Sequence, residues 1–178
     1  MKKWLVLSLL FFVACAPLSL EQKEKIWGTH APVIKRAFAS YIVKPGRLWR
    51  VYLDIEDIDG DLDVLYVFIE QTGVGLYPPS CIKLPKEYGH ALKGYFVLPI
   101  ADDWTWGIKM KIEIFCKDKA GHKSKTIYFF LKVVYKRSKL LAVPAELNHY
   151  LGTIDIDVRA PLFDDGGYFG GFNWIWGN

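Results

Sequence analysis

Residues 47–68, RLWRVYLDIEDIDGDLDVLYVF, decide the fold of this chain because an acidic turn joins two strand patterns there. From Trp49 to Glu56, apolar residues alternate with residues that are mostly polar or charged, which predicts a strand with a core face and a solvent face. The run 64–69 is continuously apolar and predicts a second strand that is covered on both sides or lies centrally in its sheet. We therefore interpret this segment as a β-hairpin within a larger sheet.

Further strand patterns lie on both sides of this segment. The clearest is 108–116, where apolar residues alternate with residues that are mostly charged. Strands are also predicted at 32–43, 95–100 and 126–135, with a short one near Ile82 in the loop-rich connection 72–94. We therefore predict an all-β fold, an antiparallel β-sandwich of about seven strands.

Two turn motifs resemble those of the immunoglobulin-like and cadherin-like domains of bacterial surface proteins. One is the D-x-D-G-D run that starts at Asp57, and the other is the D-x-A-G-H turn that starts at Asp118. The resemblance covers residues 32–136 and implies an immunoglobulin-like sandwich there. It implies little about function, because this fold serves many unrelated roles. The disulfide of antibody domains does not carry over, since the strand 49–55 contains no cysteine.

The N-terminus resembles the signal sequence of bacterial lipoproteins. Lys2 and Lys3 precede the apolar run 4–13, which is too short for a permanent membrane span and leads into Ala14 and Cys15. The resemblance implies that residues 1–14 are a signal peptide with a helical apolar segment, and that Cys15 is lipidated. Residues 15–31 would then be a tether.

This resemblance also implies a location. A lipidated Cys15 followed by Ala16 rather than Asp indicates an exported protein anchored in the outer membrane and facing the periplasm. The alternative is an ordinary secretory signal cut near Ala14 or Ala16. Loss of Lys2 and Lys3 would remove two charges from a formal net charge of +4. We therefore predict no nucleic-acid partner, and no nucleic-acid-binding motif is present.

The acidic turn is a candidate calcium site formed by Asp57, Asp59, Asp61 and Asp63, since calcium favours carboxylate-rich loops with a glycine at the bend. The EF-hand template fails, because its positions 6 and 12 would be Leu62 and Phe68. The alternative is a solvated turn, because Asp and Gly are also favoured in ordinary turns. We predict no cofactor, and calcium is the one candidate.

Cys81 and Cys116 remain after Cys15, and export would permit a disulfide between them. The alternative is two thiols that stay unpaired, a frequent fate of buried cysteine. The alternating pattern directs Cys116 into the core. A partner for its sulfur would therefore have to come from inside the sandwich.

Residues 137–178 are a predicted C-terminal extension, with one further strand near 153–158 and an irregular tail rich in glycine and aromatic residues. Four tryptophans are candidates for a surface that stacks on sugars or binds a partner. They are Trp104, Trp106, Trp174 and Trp176. The alternative is that they fill the core or dock the tail, as aromatic residues usually do.

A basic strip runs from Lys109 to Lys139, with ten lysines and arginines against Glu113 and Asp118. Such a strip attracts anionic lipids, cell-wall polymers or acidic proteins. The commoner role of lysines on the solvent face of strands is to prevent aggregation, and we favour it here.

No catalytic motif occurs, and the four histidines lie in different segments. We therefore predict a lipid-anchored envelope protein with a non-enzymatic binding or structural domain, which contacts another envelope protein or polymer. The alternatives are a carbohydrate-recognition module that uses the tryptophans, and a calcium-dependent adhesion module.

Overall fold

Strands with one apolar face need a second layer to cover that face, and the chain forms two sheets that cover each other. A computed structural model describes residues 17–102, 107–136 and 141–156. The helix α1 is Leu20–Trp27, and two short 3-10 helices are Lys86–Tyr88 and Ala145–Leu147. The strands are β1 Val33–Ala39, β2 Ile42–Val43, β3 Leu48–Glu56, β4 Leu62–Gln71, β5 Gly75–Leu76, β6 Ser80–Lys83, β7 Ala91–Pro99, β8 Lys109–Asp118, β9 Ile127–Val133 and β10 Tyr150–Thr153.

The smaller sheet has the order β1-β3-β7-β10, and the larger sheet has the order β2-β9-β8-β4-β5, with β6 also paired to β4. The prediction of an all-β immunoglobulin-like sandwich is confirmed. Two edge pairings, β2 with β9 and β10 with β7, are parallel, so the sandwich is not antiparallel throughout.

The hairpin predicted for residues 47–68 is wrong, because β3 and β4 belong to different sheets. β3 pairs with β1 and β7, whereas β4 pairs with β8, β5 and β6. The acidic turn therefore carries the chain across the sandwich from one sheet to the other. Both strands still direct their alternating apolar residues into the common core.

Trp49 lies in this core with 1% of its surface exposed, and its indole nitrogen donates a 2.7 Å hydrogen bond to the carbonyl of Ser40. Its ring meets the edge of Phe129 from the opposite sheet, with 6.0 Å between centroids. β4 is not covered on both sides but lies centrally in its sheet, the other predicted arrangement, between β8 and the short strands β5 and β6. Leu65, Val67 and Ile69 are buried, while the residues between them stay half-buried on the outer face.

The C-terminal segment extends the smaller sheet. Its strand, β10, starts at Tyr150 rather than near 153 and runs parallel to β7. Gly94 permits this approach, because a Cβ atom there would lie 2.4 Å from the carbonyl oxygen of His149. The tail beyond residue 156 lies outside the described residues.

The tether contains a full helix, which the sequence permitted but did not require. α1 begins with a capping box in which Ser19 and Gln22 each accept a hydrogen bond from the other's backbone N–H. Within the described residues, no helix is both long and apolar enough to cross a membrane.

Candidate functional site

Three strand ends bring three aspartates together at one end of the sandwich. Asp57 follows β3, Asp61 precedes β4, and Asp118 is the last residue of β8. One ligand atom from each carboxylate lies within 4.8 Å of the others, and all three residues are buried. We call this group the three-aspartate cluster.

Each carboxylate in the cluster uses one oxygen to hold a backbone loop. Oδ1 of Asp57 accepts hydrogen bonds from the N–H groups of residues 59 and 60, at 3.0 and 3.3 Å. Oδ2 of Asp61 accepts from those of residues 119 and 120, at 3.1 and 3.3 Å. Oδ1 of Asp118 accepts from those of residues 121 and 122, at 2.6 and 2.8 Å. The cluster therefore joins the turn after β3 to the turn after β8.

Gly60 makes this arrangement possible. Its φ of +79° lies in the left-handed region, where residues with a Cβ atom are disfavoured. A Cβ atom at this position would also approach the His90 ring to 2.2 Å. The turn therefore bends sharply enough to place Asp57 and Asp61 together rather than along an extended strand.

The electrostatics of the cluster are unfavourable for three ionised carboxylates. Burial raises the pKa of Asp57, and the nearby charge of Asp61 raises it further. Burial also raises the pKa of Asp61, with a further contribution from Asp118. Oδ2 of Asp57 is buried and has no hydrogen-bond partner.

Asp59 and Asp63, the other two residues of the predicted calcium site, have different partners. Oδ2 of Asp59 accepts a 2.7 Å hydrogen bond from the backbone N–H of His30. This bond and the His30 ring lower the pKa of Asp59. Asp63 forms an ion pair with Lys83. The structure thus brings together two of the four predicted carboxylates and adds Asp118, which the sequence had placed only in a turn motif.

The tether docks beside this cluster. Nδ1 of His122 lies 2.9 Å from Asp118 Oδ2, and its Nε2 lies 3.0 Å from Glu24 Oε1 in α1. The hydrogen bond with Glu24 is the main cause of a raised pKa at His122. Together with the His30–Asp59 contact, it fixes the described part of the tether against the sandwich.

The Cys81–Cys116 disulfide is contradicted by the structure, since both residues are free thiols. Cys116 faces the core, whereas Cys81 pairs with Tyr66 on the outer face of the larger sheet. β4 also lies between the two strands that carry them. Burial raises the pKa of the Cys116 thiol to about 11.

A second surface of interest is the outer face of the larger sheet, which the sequence identified only as a charged strip. Phe115 stacks on Tyr66 and Phe68, with centroids 5.1 and 5.8 Å apart. Register places Tyr128 and Phe130 on the same face, and both are exposed. We call these five rings and the lysines among them the aromatic–lysine face.

The basic strip supplies the lysines of this face. Lys123 lies 3.8 Å from the centroid of the Phe115 ring, Lys117 lies 5.7 Å from that of Tyr66, and Lys111 lies 5.0 Å from that of Tyr128. Lys109 and Lys132 pair with each other in the adjoining row. These five lysines outnumber the two acidic residues of the same rows, Glu70 and Glu113. The positions of residues 137–140, where the strip ends, are outside the described residues.

Other sequence predictions cannot be placed. Cys15, Trp104, Trp106, Trp174 and Trp176 all lie outside the described residues, so lipidation and the tryptophan surface stay predictions. The aromatic rings that do form a surface come from strand positions between core residues. Sequence alternation assigns such positions to the outer face but does not show that neighbouring strands align them.

Comparisons with known proteins identify no family. No protein-family model matches the chain, and no curated protein does. Among solved structures, it is similar to the PKD domain of an M14-like peptidase from Thermoplasmatales archaeon SCGC AB-540-F20, at 14% identity and a TM-score of 0.36, over 59% of this chain and 97% of that one. It is also similar to a CARDB domain from Pyrococcus furiosus, solved in complex with di-metal ions, at 15% identity and a TM-score of 0.31, over 58% of this chain and 85% of that one.

Proposed function

We propose that this protein is a lipid-anchored component of a bacterial cell envelope whose sandwich binds an acidic envelope protein, without catalysis. The aromatic–lysine face is the observation that carries the proposal. The anchor rests on the signal-like sequence that ends at Cys15. The sequence contains no catalytic motif, which is why binding is the role put forward.

The face has the composition expected of a protein interface. Stacked rings of Phe115, Tyr66 and Phe68 lie together, and aromatic residues are enriched in interface cores. Lysines lie over two of these rings and add positive charge to the face. Because lysines exceed acidic residues here, the complementary partner surface is acidic.

The face is also broad and open. Tyr128 and Phe130 expose 53% and 43% of their surface, and Leu76 at the edge of the sheet exposes 67%. Exposed apolar groups in a contiguous patch indicate an interaction site. A partner that covers these rings removes apolar surface from water while lysines steer its approach.

Site-specific photo-crosslinking in intact membranes tests the binding face. The crosslinking residue replaces Tyr128 on the aromatic–lysine face or, as a matched control, Tyr150 on the outer face of the smaller sheet. The two tyrosines expose 53% and 52% of their surface. We expect from position 128 alone an adduct that contains peptides of a second, acidic protein, and it disappears when Lys111→Glu and Lys117→Glu are added.

The control for charge is Lys25→Glu with Lys86→Glu, which changes the same charge outside the face. Equal adducts from positions 128 and 150 would contradict the proposed surface. An adduct that contains no second protein and is shortened by polysaccharide-degrading enzymes would show that the partner is a polymer instead of a protein. Incorporation of labelled palmitate that is lost in Cys15→Ala tests the anchor separately.

A further inference from the structure

The three-aspartate cluster has a feature that internal hydrogen bonding does not explain. Asp57 exposes 3% of its surface, and its Oδ2 atom has neither solvent contact nor a hydrogen-bond partner. A buried, unpaired carboxylate oxygen is costly, and native structures usually satisfy such groups. Two more carboxylates within 4.8 Å add repulsion rather than compensation.

The nearby cationic candidates do not supply the missing charge. The imidazole of His122 uses Nδ1 toward Asp118 and Nε2 toward Glu24, so it shares at most one positive charge between two acids. Lys83 is paired with Asp63 outside the cluster. Lys119 contributes its backbone N–H to Asp61, and no ion pair involves its side chain in the described structure.

We propose that Asp57, Asp61 and Asp118 bind a hard divalent cation, for which calcium is the fitting class. The spacing agrees, because oxygens around calcium lie about 2.3–2.6 Å from the ion and therefore at most about 5 Å from one another. The donors are all carboxylate oxygens, which hard cations prefer. Neither imidazole nitrogen of His122 is left for a softer metal.

The site assignment is independent of the aromatic–lysine face and goes beyond the proposed function. A cation here links the turn after β3 to the turn after β8, and thereby one sheet to the other at the end where the tether docks. It also satisfies Oδ2 of Asp57. This site differs from the calcium site predicted from the sequence, because it includes Asp118 and excludes Asp59 and Asp63.

Thermal unfolding of the purified protein after chelation, with calcium or magnesium added back, tests this assignment together with calorimetric titration. We expect one calcium ion per chain, and a rise in melting temperature of about 3–6 °C when free calcium is tenfold above its dissociation constant. Asp57→Asn abolishes the shift and the binding heat. The matched changes Asp59→Asn in the same turn and Asp63→Asn at the start of β4 retain both.

Asp57→Asn also carries its own folding control. Its Oδ1 still accepts the backbone hydrogen bonds, and the loss of one like charge leaves the metal-free protein at least as stable as the wild type. About 10 mM calcium or magnesium exceeds the dissociation constants of extracellular calcium modules. If neither a shift in melting temperature nor a heat of binding appears at that concentration, the assignment is overturned. Loss of the shift in Asp59→Asn and Asp63→Asn as well would also overturn it, because that result would indicate non-specific binding to the acidic turn.

Discussion

The two outer faces of the sandwich are built from the same strand pattern but are completed differently. On the smaller sheet, Phe38, Tyr52, Tyr95 and Tyr150 form one cross-strand row of rings. Neighbouring centroids in this row are 5.0, 5.4 and 6.0 Å apart. On the larger sheet, the rings of Tyr66, Phe68 and Phe115 stack in a similar way. Aromatic residues on the outer strand positions therefore do not by themselves distinguish a binding surface from a closed one.

The two faces differ in their balance of charges and in whether another segment of the chain covers them. The next row of the smaller sheet contains Arg36, Asp54 and Lys93, in which Arg36 lies 2.7 Å from Asp54 and 3.0 Å from Glu146. The 3-10 helix Ala145–Leu147 lies over this sheet and buries Leu147 completely. The larger sheet has excess lysines, and no described segment crosses its aromatic rows. The closed face contributes to stability, and we call the other face open because no described segment covers its rings.

The largest effect expected from this comparison is on stability, in a pair of tyrosine variants. Tyr52→Ala removes a side chain that is 5% exposed and packed against two rings, so it should lower the free energy of unfolding by about 3 kcal/mol. Tyr128→Ala on the open face should change it by less than about 0.5 kcal/mol. Urea denaturation measures both. Similar losses in the two variants would show that the open face is also covered.

Displacement of the segment 141–156, which covers the smaller sheet, should have the next largest effect on stability. In Gly94→Ala, the new methyl group meets the carbonyl oxygen of His149 at 2.4 Å, and backbone cannot yield as a flexible side chain does. We expect a loss of about 1–3 kcal/mol, the range typical of overpacking. Hydrogen exchange should increase mainly in 141–156 and at the N–H of Tyr95, which donates to His149. Uniform exchange across both sheets would argue against a local role.

Glu146 gives a smaller effect with a defined pH dependence. Hydrogen bonds from its own backbone N–H and from Arg36 lower the pKa of its carboxyl group. A carboxyl whose pKa is lower in the folded state stabilises that state above its unfolded pKa, and the contribution disappears as pH falls through the folded pKa. Glu146→Gln should therefore be less stable than wild type at pH 7 and equal to it in acid. A difference that persists in strong acid would exclude this explanation.

The sequence predicted much of this architecture because alternation is a local property. Trp49, Val51, Leu53 and Ile55 all face the core as their spacing requires. The sequence did not distinguish a hairpin from a crossing between sheets at residues 57–61. A short acidic turn with glycine suits both, and the choice depends on the distant partners β7 and β8. The same limit applied to the three-aspartate cluster, since Asp118 reaches Asp61 only through strand pairing.

The burial of Asp54 could not be predicted from the local sequence pattern either. Its position in β3 predicts solvent exposure, yet 4% of its surface is exposed, because Arg36 and Lys93 lie on both neighbouring strands. Strand order decides which charges become neighbours. The two resemblances have different outcomes. The turn motifs correctly indicated the sandwich. Cys15 lies outside the described residues, so the resemblance to lipoproteins stays a prediction.

Thiol labelling sharpens the comparison without a change in stability. Cys81 lies on the open face beside Tyr66, whereas Cys116 lies beneath the same sheet with a thiol pKa of about 11. Thiolate is the reactive form, so a disulfide reagent should modify Cys81 quickly and Cys116 only on unfolding. In a Cys15→Ser background, Cys81→Ser should remove the fast phase and change stability by less than about 0.5 kcal/mol. Slow labelling of Cys81 in the native protein would mean that another segment or a second molecule covers the aromatic–lysine face, and the distinction between a closed and an open face would then fail.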